Sequence, residues 1–139
     1  MWTCPQCKQR FIHTNQNHSC NERSEADFLK GKTPHVMELY QYFIDQYRTL
    51  GRFNLHPAKS RIAFATKIRF GYIHRLGKNF VDVALTFPCA YTDNLCFYRI
   101  GEVPGGKLYQ HYLRLYCNDD INEEVKKYMK MALDYGNKL

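Results

Sequence analysis

The stretch Val81-Asp82-Val83-Ala84-Leu85-Thr86-Phe87 decides the fold of this chain. Large apolar side chains occupy every second position and alternate with polar or small ones. Because successive side chains of a β-strand point to opposite faces of a sheet, this period of two predicts a strand with one buried and one exposed face. Such strands are typical of antiparallel sheets that pack one face on a core.

Alternating runs flank this stretch on both sides. Together they predict about five strands within residues 53–117, at 62–65, 68–72, 81–87, 95–100 and 108–116. Glycine-containing segments at 76–79 and 104–106 separate neighbouring runs and predict tight hairpin turns. The short connections favour a meander, in which each strand pairs with the next.

A helix is predicted before the strands, over residues 34–50, where apolar side chains recur at helical spacing. Thr33 is suited to the N-cap, and Pro34 to the first helical position, where its missing N–H costs nothing. Gly51 is expected to take the left-handed conformation that ends many helices.

A second helix is predicted over residues 120–135. Asp120 and Glu123 are spaced as a capping box, and Gly136 is expected to end the helix. The predicted fold class is therefore α+β. It comprises a short zinc-knuckle or ribbon-like N-terminal module, a helix, an antiparallel sheet of about five strands and a C-terminal helix, with both helices on one sheet face.

The first twenty residues carry the most specific chemical pattern of the chain. Cys4 and Cys7 belong to a Cys-Pro-x-Cys sequence, and His18 and Cys20 follow after ten further residues. Three thiols and one imidazole are a ligand set for tetrahedral Zn²⁺. The gap of one residue between His18 and Cys20 is tighter than the usual spacing, so His13 is a rival for the imidazole position.

These four ligands predict one structural zinc ion, since a catalytic zinc keeps an open coordination position. The alternatives are a redox Cys-x-x-Cys or a set of incidental thiols, but a thioredoxin-like motif needs a βαβ surrounding that this segment lacks. We expect residues 1–20 to form the zinc-binding module, residues 21–33 a linker and residues 34–139 the α+β domain.

The remaining cysteines, Cys89, Cys96 and Cys117, are scattered through aromatic, strand-like sequence. This placement predicts buried, reduced thiols in a reducing compartment rather than a disulfide framework. No apolar run approaches the roughly 18 residues of a membrane helix, and the N-terminus lacks the regions of a secretory signal. We expect a cytoplasmic protein without membrane contact.

Positive charge is concentrated in the middle of the chain. The formal net charge is +7, and residues 52–81 contain seven Lys or Arg and no Asp or Glu. Such a segment attracts nucleic acid or another polyanion, although a modest positive charge also serves solubility alone. The candidate nucleic-acid-binding residues lie on or next to predicted strands: Arg61, Lys67, Arg69, Arg75, Lys78, Arg99 and Arg114.

Tyrosines at 72, 98, 109 and 112 are interleaved with these basic residues. Guanidinium groups pair with phosphates, and aromatic rings stack on bases. The sequence therefore predicts a zinc-stabilised, non-enzymatic module that binds nucleic acid or another polyanion through a basic, aromatic sheet surface. The alternatives are a domain that binds a protein partner or a small anionic ligand, and an enzyme that uses His and Cys residues.

Sequence motifs of common enzymes are missing. The chain contains no phosphate-binding glycine loop, no GxSxG elbow and no HExxH pattern. Asp82 is the only acidic residue between positions 46 and 92, which disfavours carboxylate-dependent metal chemistry. The remaining enzymatic arrangement would place His74 and His111 face to face across the sheet beside a cysteine. We assign no catalytic residue.

The pattern Trp2-x-Cys4-Pro5-x-Cys7, followed by Phe11, Gln16 and His18-Ser19-Cys20, resembles the N-terminus of a group of small bacterial proteins of unknown function. Their C-terminal portion is a domain of unknown function that also occurs in transport-associated and nuclease-fused proteins. Residues 57–72 and the closing helix are similar to that domain. The resemblance implies the same two-part architecture and implies no activity.

Overall fold

The computed structural model of the chain describes residues 2–5, 10–11, 25–58, 61–105 and 107–138. It confirms the α+β class, with helices packed on a six-stranded antiparallel sheet. None of the helices in these ranges is long and apolar enough to span a membrane. In chain order the elements are β1 (Trp2–Thr3), β2 (Arg10–Phe11), α1 (Glu25–Leu29), α2 (Pro34–Leu50), β3 (Asn54–Pro57), β4 (Ile62–Ala65), β5 (Arg69–Leu76), β6 (Val81–Phe87), β7 (Phe97–Glu102), β8 (Tyr109–Leu115), a 3-10 turn (Asn118–Asp120) and α3 (Glu123–Asn137).

The strand order of the main sheet is β3-β4-β5-β6-β8-β7. The prediction of about five strands in a plain meander is wrong in two respects. β3 adds a sixth strand, which its short length and terminal Pro57 concealed, since proline removes a ladder donor. In addition, β7 forms the outer edge, and β8 returns to pair with both β7 and β6.

β6 lies between β5 and β8, and all seven of its residues are buried. Its apolar set belongs to the hydrophobic core under the helices. The expectation that the alternate set is exposed is wrong, because neighbouring strands cover Asp82 and Thr86. Tyr98 and Arg114 bond to the Asp82 carboxylate, and Gln110 accepts a hydrogen bond from the Thr86 hydroxyl.

Helix α2 has the bounds that its sequence predicts. The Thr33 side chain caps it by accepting a hydrogen bond from the Val36 N–H, and Pro34 occupies the first turn. At the other end Gly51 has φ 166°, which is extended backbone rather than the predicted left-handed conformation. A Cβ at Gly51 would approach Leu133 of α3 to 2.4 Å, so close packing against α3 favours glycine there.

Helix α3 begins later than predicted. Its N-cap is Asn122, whose side chain accepts from the Val125 N–H, and not Asp120. Asp120 instead accepts the backbone N–H groups of the two residues that follow β8. The predicted stop at Gly136 is also wrong, since the helix continues to Asn137. Gly136 is needed where the helix crosses Phe70, which a Cβ would approach to 2.7 Å.

An aromatic cluster forms the centre of the core between α2 and the sheet. Its ring centroids lie 5.1–6.1 Å apart, mostly in tilted or edge-to-face arrangements. Tyr47 also carries a polar group into this region, and its buried hydroxyl donates to the Met129 carbonyl at 2.6 Å. The members of the cluster are Phe43, Tyr47, Phe53, Phe64 and Phe70.

The predicted linker at residues 21–33 contains the short helix α1. Phe28 and Leu29 on this helix are partly buried against the main core. At the N-terminus, β1 and β2 pair antiparallel, with Trp2 opposite Phe11. The division of the chain at residues 20 and 33 stays a prediction.

Candidate nucleic-acid interface

Helices α2 and α3 leave one face of the sheet uncovered, and we call it the open face; α1 meets its edge, where Asp27 and Phe28 line a cleft with His74 and Arg75. Helices α2 and α3 pack on the opposite face. The strand registers align one row of residues across the open face, in the order Ala63, Tyr72, Ala84, Tyr112 and Arg99. The row therefore crosses five strands and brings aromatic and basic side chains from three of them together.

Tyr72 and Tyr112, which we call the tyrosine pair, stand on either side of β6. Because the residue between them is the small Ala84, their hydroxyl groups approach to 3.4 Å. Burial raises the pKa of Tyr72, and the hydrogen bond to Tyr112 adds to that shift. The ring of His74 extends the cluster, with its centroid 5.3 Å from that of Tyr112. The result is a half-exposed aromatic platform in the middle of the sheet.

Arginines flank the tyrosine pair on both sides. The guanidinium of Arg61 lies 4.5 Å from the centroid of the Tyr72 ring, and that of Arg99 lies 5.2 Å from the Tyr112 centroid. Both arginine residues are exposed, and neither forms an ion pair with the described residues. Their positive charge is therefore available to an anionic ligand.

A third arginine on the open face is held more tightly. Arg114 donates to the buried Asp82 carboxylate at 3.1 Å and lies between the rings of Phe80 and Tyr98. The Tyr98 hydroxyl donates to both Asp82 oxygens. Hydrogen bonds to Tyr116 and Asp82 raise the pKa of Arg114. Asp82 therefore anchors Arg114 at one position, and Arg75, stacked 5.0 Å from the Phe80 centroid, continues the basic surface toward the end of β5.

The structure brings together some of the predicted basic residues and separates others. Arg61, Arg75, Arg99 and Arg114 share the open face. Lys67 and Arg69 lie at the β4–β5 connection, and Lys78 lies in the β5–β6 turn at the opposite end of β5.

Sequence reasoning also misplaced one aromatic residue and missed another. Tyr109 pairs with Phe87 of the core-facing set, so it does not belong to the open face. Phe80 was missed because it lies between the predicted turn at 76–79 and the run that begins at Val81, where no alternation marks its direction.

His111 lies on the helix-covered face and is fully buried. Its Nε2 accepts from the Tyr91 N–H at 3.0 Å, so the hydrogen bond of Nδ1 to the Tyr109 carbonyl requires the proton on Nδ1. The ring is therefore neutral, and burial lowers its pKa. The expectation that His74 and His111 face one another is wrong, because they lie on opposite faces of the sheet.

The buried, neutral His111 predicts acid-sensitive stability. Its pKa is lowered from 6.5 in the folded state, so the unfolded chain binds the proton more readily. Its contribution to stability should be complete above pH 6.5 and should fall as the pH drops toward the lower folded-state value. Urea unfolding from pH 7.5 to 5 measures this decline.

The matched variants for this test are His111→Gln and His74→Gln. The first should flatten the decline because it removes the titrating group, and the second should leave it unchanged because His74 is exposed. An unaltered pH profile in His111→Gln would contradict the assignment.

The three cysteines outside the N-terminal segment differ in exposure. Burial and the neighbouring Glu124 raise the pKa of Cys96 to about 12, so this thiol stays protonated at neutral pH. Cys89 and Cys117 are exposed, reduced thiols. The prediction that all three are buried is wrong for Cys89 and Cys117, and Cys96 is only partly buried.

Only one of the predicted zinc ligands falls within the described ranges. Cys4 is buried and directly follows β1, and the pairing of β1 with β2 brackets the Cys-Pro-x-Cys sequence. Cys7, His18 and Cys20, together with His13, lie outside the described residues. Elsewhere in the described chain, no three His, Cys, Asp or Glu side chains are grouped to hold a metal ion. The zinc site stays a prediction.

Metal analysis tests this prediction directly. We expect one equivalent of zinc in the purified protein and its loss in the Cys20→Ala variant, since removing one thiolate weakens a four-ligand site. Elemental analysis of both proteins is the measurement. Protein without zinc, in which all three thiols of residues 1–20 react freely, would contradict the metal site.

No family model, curated protein or solved structure shows a significant match to this chain. The resemblance to small bacterial proteins of unknown function therefore stays an expectation.

Proposed function

We propose that the chain is a zinc-stabilised, non-enzymatic module that binds single-stranded nucleic acid on the open face. The observation that supports this most directly is the tyrosine pair, half-exposed and flanked by Arg61 and Arg99. The rings supply stacking surfaces, and the guanidinium groups supply charge for phosphates.

The partly exposed rings of the tyrosine pair favour a single strand. Bases in a duplex are stacked on one another, whereas unpaired bases can lie on aromatic side chains presented by a sheet. The row across the sheet offers two rings from strands two spacings apart, one on either side of Ala84. Two successive bases would rest on Tyr72 and Tyr112, and the backbone would follow the arginines.

The arginines that now lie over the rings do not oppose this arrangement. An exposed cation–π contact stabilises by about 0.5–1 kcal/mol, whereas a base stacked on an aromatic side chain contributes about 1–3 kcal/mol. A guanidinium displaced by a base also gains a phosphate partner. The same residues also support a second geometry, in which a base stacks on the guanidinium plane of Arg61 or Arg99.

Substitution of Tyr112 tests the platform. Tyr112→Leu should weaken binding of a single-stranded 20-mer about tenfold, because it removes one stacking surface and keeps an apolar side chain. The control is Tyr42→Leu, since Tyr42 lies on α2 in the opposite layer. Fluorescence anisotropy of labelled poly-dT and poly-rU at low salt measures the affinities.

Three outcomes would overturn the proposed function. Absence of binding to either oligonucleotide at low salt excludes nucleic acid as the ligand. Equal losses in the Tyr112 and Tyr42 variants place the binding surface elsewhere. A duplex that binds as tightly as the single strand would show that charge, rather than stacking, determines the affinity.

A further inference from the structure

The open face ends at a second basic feature, formed where the connector at residues 30–33 meets the β5–β6 hairpin. The Thr33 hydroxyl donates to the Lys78 carbonyl at 3.0 Å, which fixes the connector against the hairpin turn. Gly31 allows the chain to turn there, with φ 78°. Two adjoining clefts of about 390 and 290 Å³ lie beside this contact, and Lys32, Arg75 and Leu76 line both.

We call the two clefts together the basic cleft, and this cleft is strongly cationic. Their ionisable lining consists of Lys30, Lys32, Arg75 and Lys78, with His74, against the single carboxylate of Asp27. None of the four cations forms an ion pair with the described residues. Each is therefore available to an anion, and a group with two negative charges would be attracted more strongly than one with a single charge.

The position of the basic cleft relates it to the open face. Arg75 stacks on Phe80, and Phe80 also stacks beneath Arg114 of the open face. A strand that passes from Arg114 to Arg75 across Phe80 therefore arrives at the cleft and meets the connector. The connector borders the hairpin turn at this cleft, and a strand bound on the open face would end at this edge.

From this placement, and resting on the proposed function, we propose that the basic cleft binds the terminal phosphate of a single-stranded nucleic acid. A phosphate monoester carries a charge of about −1.5 to −2 at pH 7, whereas an internal diester carries one negative charge. Lysine ammonium groups bind phosphate as mobile point charges, and Arg75 adds a planar donor.

The test compares oligonucleotides of one sequence with a 5′-phosphate, a 3′-phosphate or hydroxyls at both ends. One phosphorylated form should bind about fivefold tighter than the hydroxyl form at 0.1 M salt. This gain in affinity is what roughly one further neutralised phosphate charge contributes. In the Lys30→Gln/Lys32→Gln variant this ratio should fall to near one. The Lys126→Gln/Lys138→Gln variant, which loses the same charge from α3 and the C-terminus, should keep it.

Equal binding of all three oligonucleotides by the unaltered protein would overturn the terminal-phosphate site and leave the proposed function standing. A ratio that persists in the Lys30→Gln/Lys32→Gln variant would also overturn this site. Absence of binding to any of them would overturn both. The end that gives the tighter complex assigns the direction of the strand on the sheet.

Discussion

Replacing Phe64 with alanine is expected to lower the free energy of unfolding by about 3–5 kcal/mol. Phe64 lies on β4, is fully buried and contacts four other aromatic rings of the central cluster. The neighbouring strand cannot fill the space, because Gly71 lies directly opposite and has no side chain. Since domains of this size are stable by about 5–15 kcal/mol, the change would remove a large share of the total.

Urea unfolding measures this loss as a lower midpoint at an unchanged slope. The control is Leu95→Ala, because Leu95 is 97% exposed and its truncation should change stability by less than about 0.5 kcal/mol. Phe64→Leu provides a milder variant, with an expected loss of about 1 kcal/mol, if the alanine variant does not fold. Losses of similar size at Phe64 and Leu95 would show that the aromatic cluster is not the stabilising core.

The sequence predicts the fold where local patterns determine structure. The alternation of β6 and the cap and apolar face of α2 are local, and both elements form as predicted. β3 and the position of β7 are different, because they depend on pairing with distant strands. The four residues of β3, which end in Pro57, carry no periodic signal. No feature of the β7 sequence predicts that β8 will lie between β7 and β6.

The composition of the open face could be predicted in part. Arginines and tyrosines in alternating runs indicate a basic, aromatic surface, but the register decides which of them meet. The tyrosine pair exists because Ala84 lies between Tyr72 and Tyr112 in adjacent strands, a relation that joins positions 40 residues apart. In the sequence Asp82 is only the single acidic residue between positions 46 and 92. Its role in anchoring Arg114 depends on the register that places Arg114 directly opposite it.

Neutralising three arginines of the open face should reduce affinity for a single strand about a hundredfold at 0.1 M salt. The variant is Arg61→Gln/Arg75→Gln/Arg99→Gln, which leaves the ion pair of Arg114 intact. Each phosphate contact on a single strand contributes a slope of about −0.7 to log affinity against log salt, so three lost contacts remove about two decades. The slope itself should become shallower by about 2.

The matched control removes three charges from the opposite layer, as Lys126→Gln/Lys127→Gln/Lys130→Gln on α3. A change in net charge alone predicts equal effects from the two triple variants, because both shift it by the same amount. Local contacts predict a shallower slope only for the arginine variant, since counterions are released only where phosphates bind. The slope therefore separates the two explanations even where the affinities are similar. Equal slopes in both triple variants would contradict the open face as the binding surface.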